Sequence, residues 1–122
     1  MLIEEISDKT ALQSIIRGSP GPVVLKFGAE WCGTCKQIEP LVKDWFNQMP
    51  DNVTRGVLDV DDNFELYAHL KSKRVIPSIP AMLMYEPGND TVHAPDIIIL
   101  GSNKESIDGF FTQVIARSSL QS

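Results

Sequence analysis

Base, histidine, cysteine and long apolar runs are all scarce in this chain, and each shortage excludes something. Eleven lysines and arginines stand against sixteen aspartates and glutamates among 122 residues, a net charge of −5. Phosphate is neutralised by clustered Lys and Arg, so this balance excludes nucleic acid and an anionic membrane surface as partners. The acidity serves solubility. No apolar run approaches the roughly 18 residues that span a bilayer, and Ile97 to Leu100 has the length of a strand. The opening Met1-Leu2-Ile3-Glu4-Glu5-Ile6 has acid where a secretory signal has base, and it lacks the long apolar middle of such a signal. The expected location is therefore a reducing one, the cytoplasm. Two cysteines separated by two residues cannot build a multi-bridge scaffold, and they close too small a loop to staple much chain. Chemistry explains them better.

What is present suffices for one core: 43% of residues are apolar and 22% charged. A single monomeric domain over residues 1–116 is expected, followed by a polar tail at 117–122. Ser7 or Asp8 can cap a helix carrying Ala11, Leu12, Ile15 and Ile16, which Gly18 ends. Val23-Val24-Leu25-Lys26-Phe27 reads as a strand buried on both faces, with Lys26 as its anomaly. A helix through Gln48 repeats Ile38, Leu41, Val42, Trp45 and Phe46 and is expected to bend at Pro40. Val53 to Val60 alternates as a strand, and Asp61 or Asp62 is expected to cap a helix with Phe64, Leu66, Tyr67 and Leu70. Ala81 to Tyr85 and Ile97 to Leu100 read as a hairpin around a turn at Glu86 to Asp90. Ser102 or Asn103 starts a last helix with Ile107, Phe110, Phe111, Val114 and Ile115 on one side. The implied α/β fold is a mixed central sheet with helices on both faces.

Cys32-Gly33-Thr34-Cys35 lies between a buried strand and a helix. There Cys32 meets unpaired backbone N–H groups and the positive end of the helix dipole, which stabilise an anion by roughly 0.3 to 2 kcal/mol. About 1.4 kcal/mol is one pKa unit, so a thiolate near neutral pH follows. Cys35, one turn deeper, can close a disulfide over Cys32 without moving the chain. Cys32 would attack and Cys35 resolve, while Gly33 admits a partner's backbone to the sulfur. Plainer readings compete. The cysteines could be a buried apolar pair, or half of a zinc site, but the only other ligands are His69 and His93 at unsuitable spacings. No metal is expected. Met82 and Met84 are expected to face opposite covering helices, Trp45 the core, and the Asp59, Asp61 and Asp62 run solvent.

Phe27-Gly28-Ala29-Glu30-Trp31-Cys32-Gly33-Thr34-Cys35-Lys36, with Pro40 in the helix and Ile79-Pro80 before a strand, closely resembles the thioredoxin family from about Ser7 to Ala116. The resemblance implies a thioredoxin fold of five strands and four helices, and exchange of the dithiol with disulfides in protein substrates. No cofactor is implied beyond the redox-active disulfide. The electron donor would be a thioredoxin-reductase-like or glutathione-linked protein. The resemblance maps Pro80 onto a cis proline and leaves the Ile79 backbone free to pair with an extended substrate. Trp31, Gly33, Thr34, Ile79, Pro80 and Gly101 would form the docking surface.

The chain departs from that pattern in several places. Thr34 replaces proline, which restores a backbone N–H near the sulfurs and implies a disulfide more oxidising than the roughly −270 mV typical of thioredoxin. Lys26 stands for a buried acid and Val57 for its lysine partner. As a cation or a base, Lys26 is a candidate catalytic residue, with Asp59 as candidate counter-charge. Gly28 replaces a tryptophan and should open the floor of the site. Glu86 to Asp96 exceeds the usual hairpin. Two function classes follow: a thiol–disulfide oxidoreductase, or a binding adaptor whose thiols matter little.

Overall fold

A computed structural model describes residues 2–120, so the last two residues of the expected tail, Gln121 and Ser122, lie outside the described residues. The elements run β1 (Leu2–Ile3), α1 (Lys9–Gly18), β2 (Val23–Gly28), α2 (Gly33–Gln48), β3 (Thr54–Asp59), α3 (Phe64–Ser72), β4 (Ala81–Tyr85), β5 (Ile97–Leu100) and α4 (Lys104–Ser119). The sheet order is β1-β3-β2-β4-β5. Strands β1, β3 and β2 are parallel, whereas β4 runs antiparallel to β2 and β5. Every residue of β2 is buried, because it is the middle strand and is covered on both faces.

The two-residue alternation of β2 divides the core. Val23, Leu25 and Phe27 point to one apolar layer with Leu58, Leu83 and Tyr85 under α1 and α3. Val24 joins the other, with Ile38, Val42 and Phe46 of α2 and Phe110, Phe111 and Val114 of α4. In that second layer Trp45 stacks on Phe111 at 5.6 Å between ring centroids. Its indole N–H donates to Asp108 at 2.8 Å. Helix α1 starts where expected: Asp8 Oδ1 accepts the Ala11 N–H at 2.8 Å. Asn103 caps α4 in the same way, accepting from Ser106 at 2.9 Å.

Several expectations need correction. Asn63, not Asp61 or Asp62, is the N-cap of α3, and its side chain makes no capping bond. Asn63 Oδ1 instead accepts the Ile6 N–H at 2.7 Å, which ties the chain after β1 to the start of α3. Phe64 is 70% exposed, so the inward face of α3 is made by buried Leu66 and Leu70 with Tyr67 half-buried beside them. Met82 and Met84 sit in the same layer, since residues two apart in a strand share a face. Helix α4 runs past Arg117 to Ser119, and Ser118 is buried, its carbonyl accepting from Asn52 Nδ2 at 3.0 Å. Strand β1 has only Leu2 and Ile3, too short for alternation to reveal it.

Candidate active site

Strand β2 ends at Gly28, and four residues later the chain enters α2 with Cys32 as N-cap. Cys32 is extended, at φ −92° and ψ 107°, as a capping residue must be. Its sulfur fills the role usually taken by a Ser or Asp oxygen: Cys32 Sγ accepts the Cys35 N–H at 3.2 Å. The hydroxyl of Thr34 lies 3.5 Å from the same sulfur. Thr34 thus reaches Cys32 through its side chain, whereas the backbone N–H that points at the sulfur is that of Cys35. The Cα atoms of Cys32 and Cys35 are 5.3 Å apart, and the two sulfurs form a disulfide.

Both cysteines are largely covered, Cys32 at 6% and Cys35 at 4% exposure. Openness comes from the surroundings, because a side chain built at Gly33 would meet nothing within 4 Å. Beside it, Trp31 is 69% exposed, and its indole N–H donates to Asp61 Oδ2 at 2.9 Å. Asp61 therefore holds an aromatic plate in place, a role that nothing in its spacing announces. Ile79 packs against the apolar cluster that contains both cysteines, and the Ile79–Pro80 bond is cis. Among the described residues, the Ile79 backbone N–H and C=O make no hydrogen bond. Gly101, at φ +90°, donates its N–H to the Pro80 carbonyl at 2.9 Å and so fixes the end of β5 beside it.

Lys26 faces the α2 side of the sheet and is 6% exposed. Burial pulls its ammonium pKa below the ordinary value, and the carboxylate of Glu39 on α2 partly opposes that shift. Asp59 is not its counter-charge. Both Asp59 oxygens are engaged in the turns after β2 and β3, accepting from Glu30 N at 3.1 Å and Asp61 N at 2.8 Å. Glu39 went unseen in the sequence because its approach to Lys26 depends on how α2 lies across the sheet. Val57 is the direct neighbour of Lys26 in β3, as Asp59 is of Gly28. The floor opened by Gly28 is a cavity of about 580 Å³ whose walls include Lys26, Gly28, Cys35, Glu39 and Asp59.

The zinc alternative has no geometry. His69 and His93 line a separate pocket of about 490 Å³ with residues of α1 and α3, and no cysteine borders it. Among the described residues no group of three or more His, Cys, Asp or Glu side chains could hold a metal ion. Nor is any described helix long and apolar enough to cross a membrane.

Comparison with known proteins agrees with this geometry. The family model described as thioredoxin matches residues 4–111. Thioredoxin 1 of Synechococcus elongatus is 32% identical over 89 residues, covering 71% of this chain and 78% of its own. The bifunctional thioredoxin reductase/thioredoxin of Mycobacterium leprae is 30% identical over 84 residues, which are 69% of this chain and 17% of that longer protein. The structure of Trichomonas vaginalis thioredoxin superposes with a TM-score of 0.73 at 22% identity, over 91% of this chain and 96% of that one. A sulfur-capped helix, a disulfide across Cys32 and Cys35 and a family match over most of the sequence converge: the chain belongs to the thioredoxin family and is a dithiol–disulfide oxidoreductase.

Proposed function

We propose that Cys32 is the attacking sulfur and Cys35 the resolving one, acting on disulfides in protein substrates. The observation that carries this order is the hydrogen bond from the Cys35 N–H to Cys32 Sγ at the start of α2. In the reduced protein that donor and the helix dipole stabilise a thiolate on Cys32 rather than on Cys35. The Cys32 thiolate attacks one sulfur of the substrate disulfide and expels the other as a thiolate, giving a mixed disulfide. Cys35 then attacks Cys32 Sγ, releases the second substrate thiolate and leaves the protein oxidised. Lys26 supports the second step by placing positive charge beneath Cys35 as that thiolate forms.

Substrate lies against Trp31, Gly33, Thr34, Ile79, Pro80 and Gly101. The unpaired Ile79 backbone supports pairing with an extended segment, as a strand adds to a free edge. Phe64, exposed at the start of α3, is a further apolar side chain open to a partner. The Mycobacterium leprae relative, in which reductase and thioredoxin share one chain, supports a thioredoxin reductase as electron donor here. A working dithiol also fits a reducing compartment, the cytoplasm.

Insulin reduction driven by dithiothreitol tests the reading. Cys32→Ser is expected to lower the protein-dependent rate to background, and Cys35→Ser to accumulate mixed disulfides with substrates. Equal rates for wild type and Cys32→Ser would favour an adaptor and end the proposal.

A further inference from the structure

The cavity behind the cysteines borders Cys35 and not Cys32. Sulfur attack on a disulfide is in line, so a thiolate aimed at Cys35 must arrive from the side away from Cys32, and the cavity lies against Cys35 alone. Gly28 puts no side chain beside Cys35 Sγ. A Cβ built there would stand 3.4 Å from Cys35 Cβ and from Cys35 Sγ and 3.9 Å from Lys26 Cε, so the space beside the sulfur admits a methyl group without a clash. The volume of about 580 Å³ falls within the roughly 300 to 1,000 Å³ of small-molecule sites. Its rim is exposed at Lys36, Glu39 and Lys43. Lys26, Lys36, Lys43 and Arg55 supply positive charge and Glu4, Glu30, Glu39 and Asp59 negative charge around one space. That mixture suits a ligand bearing both carboxylate and ammonium groups.

We propose that this cavity is a second entrance to the disulfide, through which a low-molecular-weight thiol carrying carboxylate and ammonium groups reduces the oxidised protein by attacking Cys35. This rests on the dithiol function proposed above and identifies a donor for it besides a reductase. The thiolate of the small thiol forms a bond to Cys35 Sγ, and the Cys32–Cys35 bond breaks with its electron pair leaving on Cys32. Cys32 is the better leaving group, because the Cys35 N–H and the start of α2 stabilise its thiolate and sulfurs of lower pKa leave faster. A second small thiolate attacks the small-molecule sulfur of the mixed disulfide, forming the small disulfide and expelling the Cys35 thiolate. Two small thiols are oxidised and one protein disulfide is reduced; the two protons they release pass through solvent to the dithiol.

The test uses oxidised protein and reduced glutathione as the probe thiol, with iodoacetamide present to cap whichever cysteine is freed. Peptide mass analysis is expected to find glutathione on Cys35 and the alkyl cap on Cys32; the opposite pattern overturns the proposal. Gly28→Ala, which adds the methyl group that fits beside Cys35, is expected to slow reduction by glutathione threefold or more, and a smaller effect overturns it. Should that variant fail to fold, Lys43→Gln on the exposed rim replaces it. Its expected result is slower reduction by glutathione with an unchanged rate for uncharged 2-mercaptoethanol, and equal effects on both thiols refute the site. A single turnover of pre-reduced wild type with insulin, which involves no small thiol, reports the parent function separately. Failure there removes the dithiol reading itself, whereas success with glutathione on Cys32 removes only the second entrance.

Discussion

The two faces of the sheet part company at the end that carries the cysteines. Under α1 and α3, Leu25, Phe27, Leu58 and Leu83 are wholly buried and apolar. Under α2, one residue away along the same strands, stand Lys26, Gly28 and Asp59 with a cavity above them. Odd positions of β2 hold the fold and even positions near its end shape the site. Such a division is available only to a strand, where a side chain of either type leaves its neighbours' face untouched.

Changes on the apolar face should therefore cost stability and spare chemistry. The largest effect is expected from Phe27→Ala, about 3 to 5 kcal/mol in denaturant unfolding, from lost burial and the space left behind. Cys32 alkylation in the folded fraction should stay as fast as in wild type; a slowed thiol would show that the faces are coupled. Tyr85→Phe removes the hydroxyl that donates to the Val92 carbonyl at 2.6 Å, and leaves that acceptor without its partner. A loss of about 1 to 3 kcal/mol is expected, again with no change in thiol reactivity. Stability within 0.5 kcal/mol of wild type, roughly the lower limit for a net hydrogen bond, would mean that Val92 finds another donor.

Changes at the site should instead show themselves in the redox potential or in how stability depends on pH. Thr34→Val deletes the hydroxyl 3.5 Å from Cys32 Sγ and with it a hydrogen bond that favours the reduced thiolate. At about 0.5 to 1.5 kcal/mol and roughly 30 mV per 1.4 kcal/mol, the potential should fall by about 10 to 30 mV on equilibration with glutathione. A rise would assign the wrong sign to Thr34. Lys26→Met is expected to act through pH. In the folded chain Lys26 holds its proton less tightly than at its ordinary value of 10.5. Between the depressed folded value and 10.5 the unfolded chain binds the extra proton, so stability rises with pH there and the cost is fully present below it. The variant should melt higher at pH 7 and lose part of that alkaline rise. An unchanged pH profile would show that the ammonium is not penalised by burial.

Most elements were legible because their signals are local. The Asp8 cap, the apolar run of β2 and the helical repeat of α4 each state their structure within a few residues. The errors fall where a distant partner decides. Asn63 is at the start of α3 but spends its oxygen on Ile6, 57 residues away. Phe64 reads as core because it stands one turn before Tyr67, yet it is 70% exposed. Met82 and Met84 share one layer by strand period alone, with no distant partner involved. At the site, the cysteines and the Ile79–Pro80 bond matched expectation, while Asp61 under Trp31 and Glu39 near Lys26 did not announce themselves.

The sequence by itself determined the sulfur chemistry: two cysteines spaced by one helical turn, behind a buried strand, leave Cys32 at the amino end of a helix wherever that helix is laid. Only the tertiary structure decided what faces each sulfur. Packing α2 across β2 set Lys26, Gly28 and a cavity against Cys35, and the closing core brought Ile79 from some 45 residues along the chain against the apolar cluster that contains the pair. Helix capping is settled within four residues, but the walls of a site are assembled from elements that meet only when the core closes.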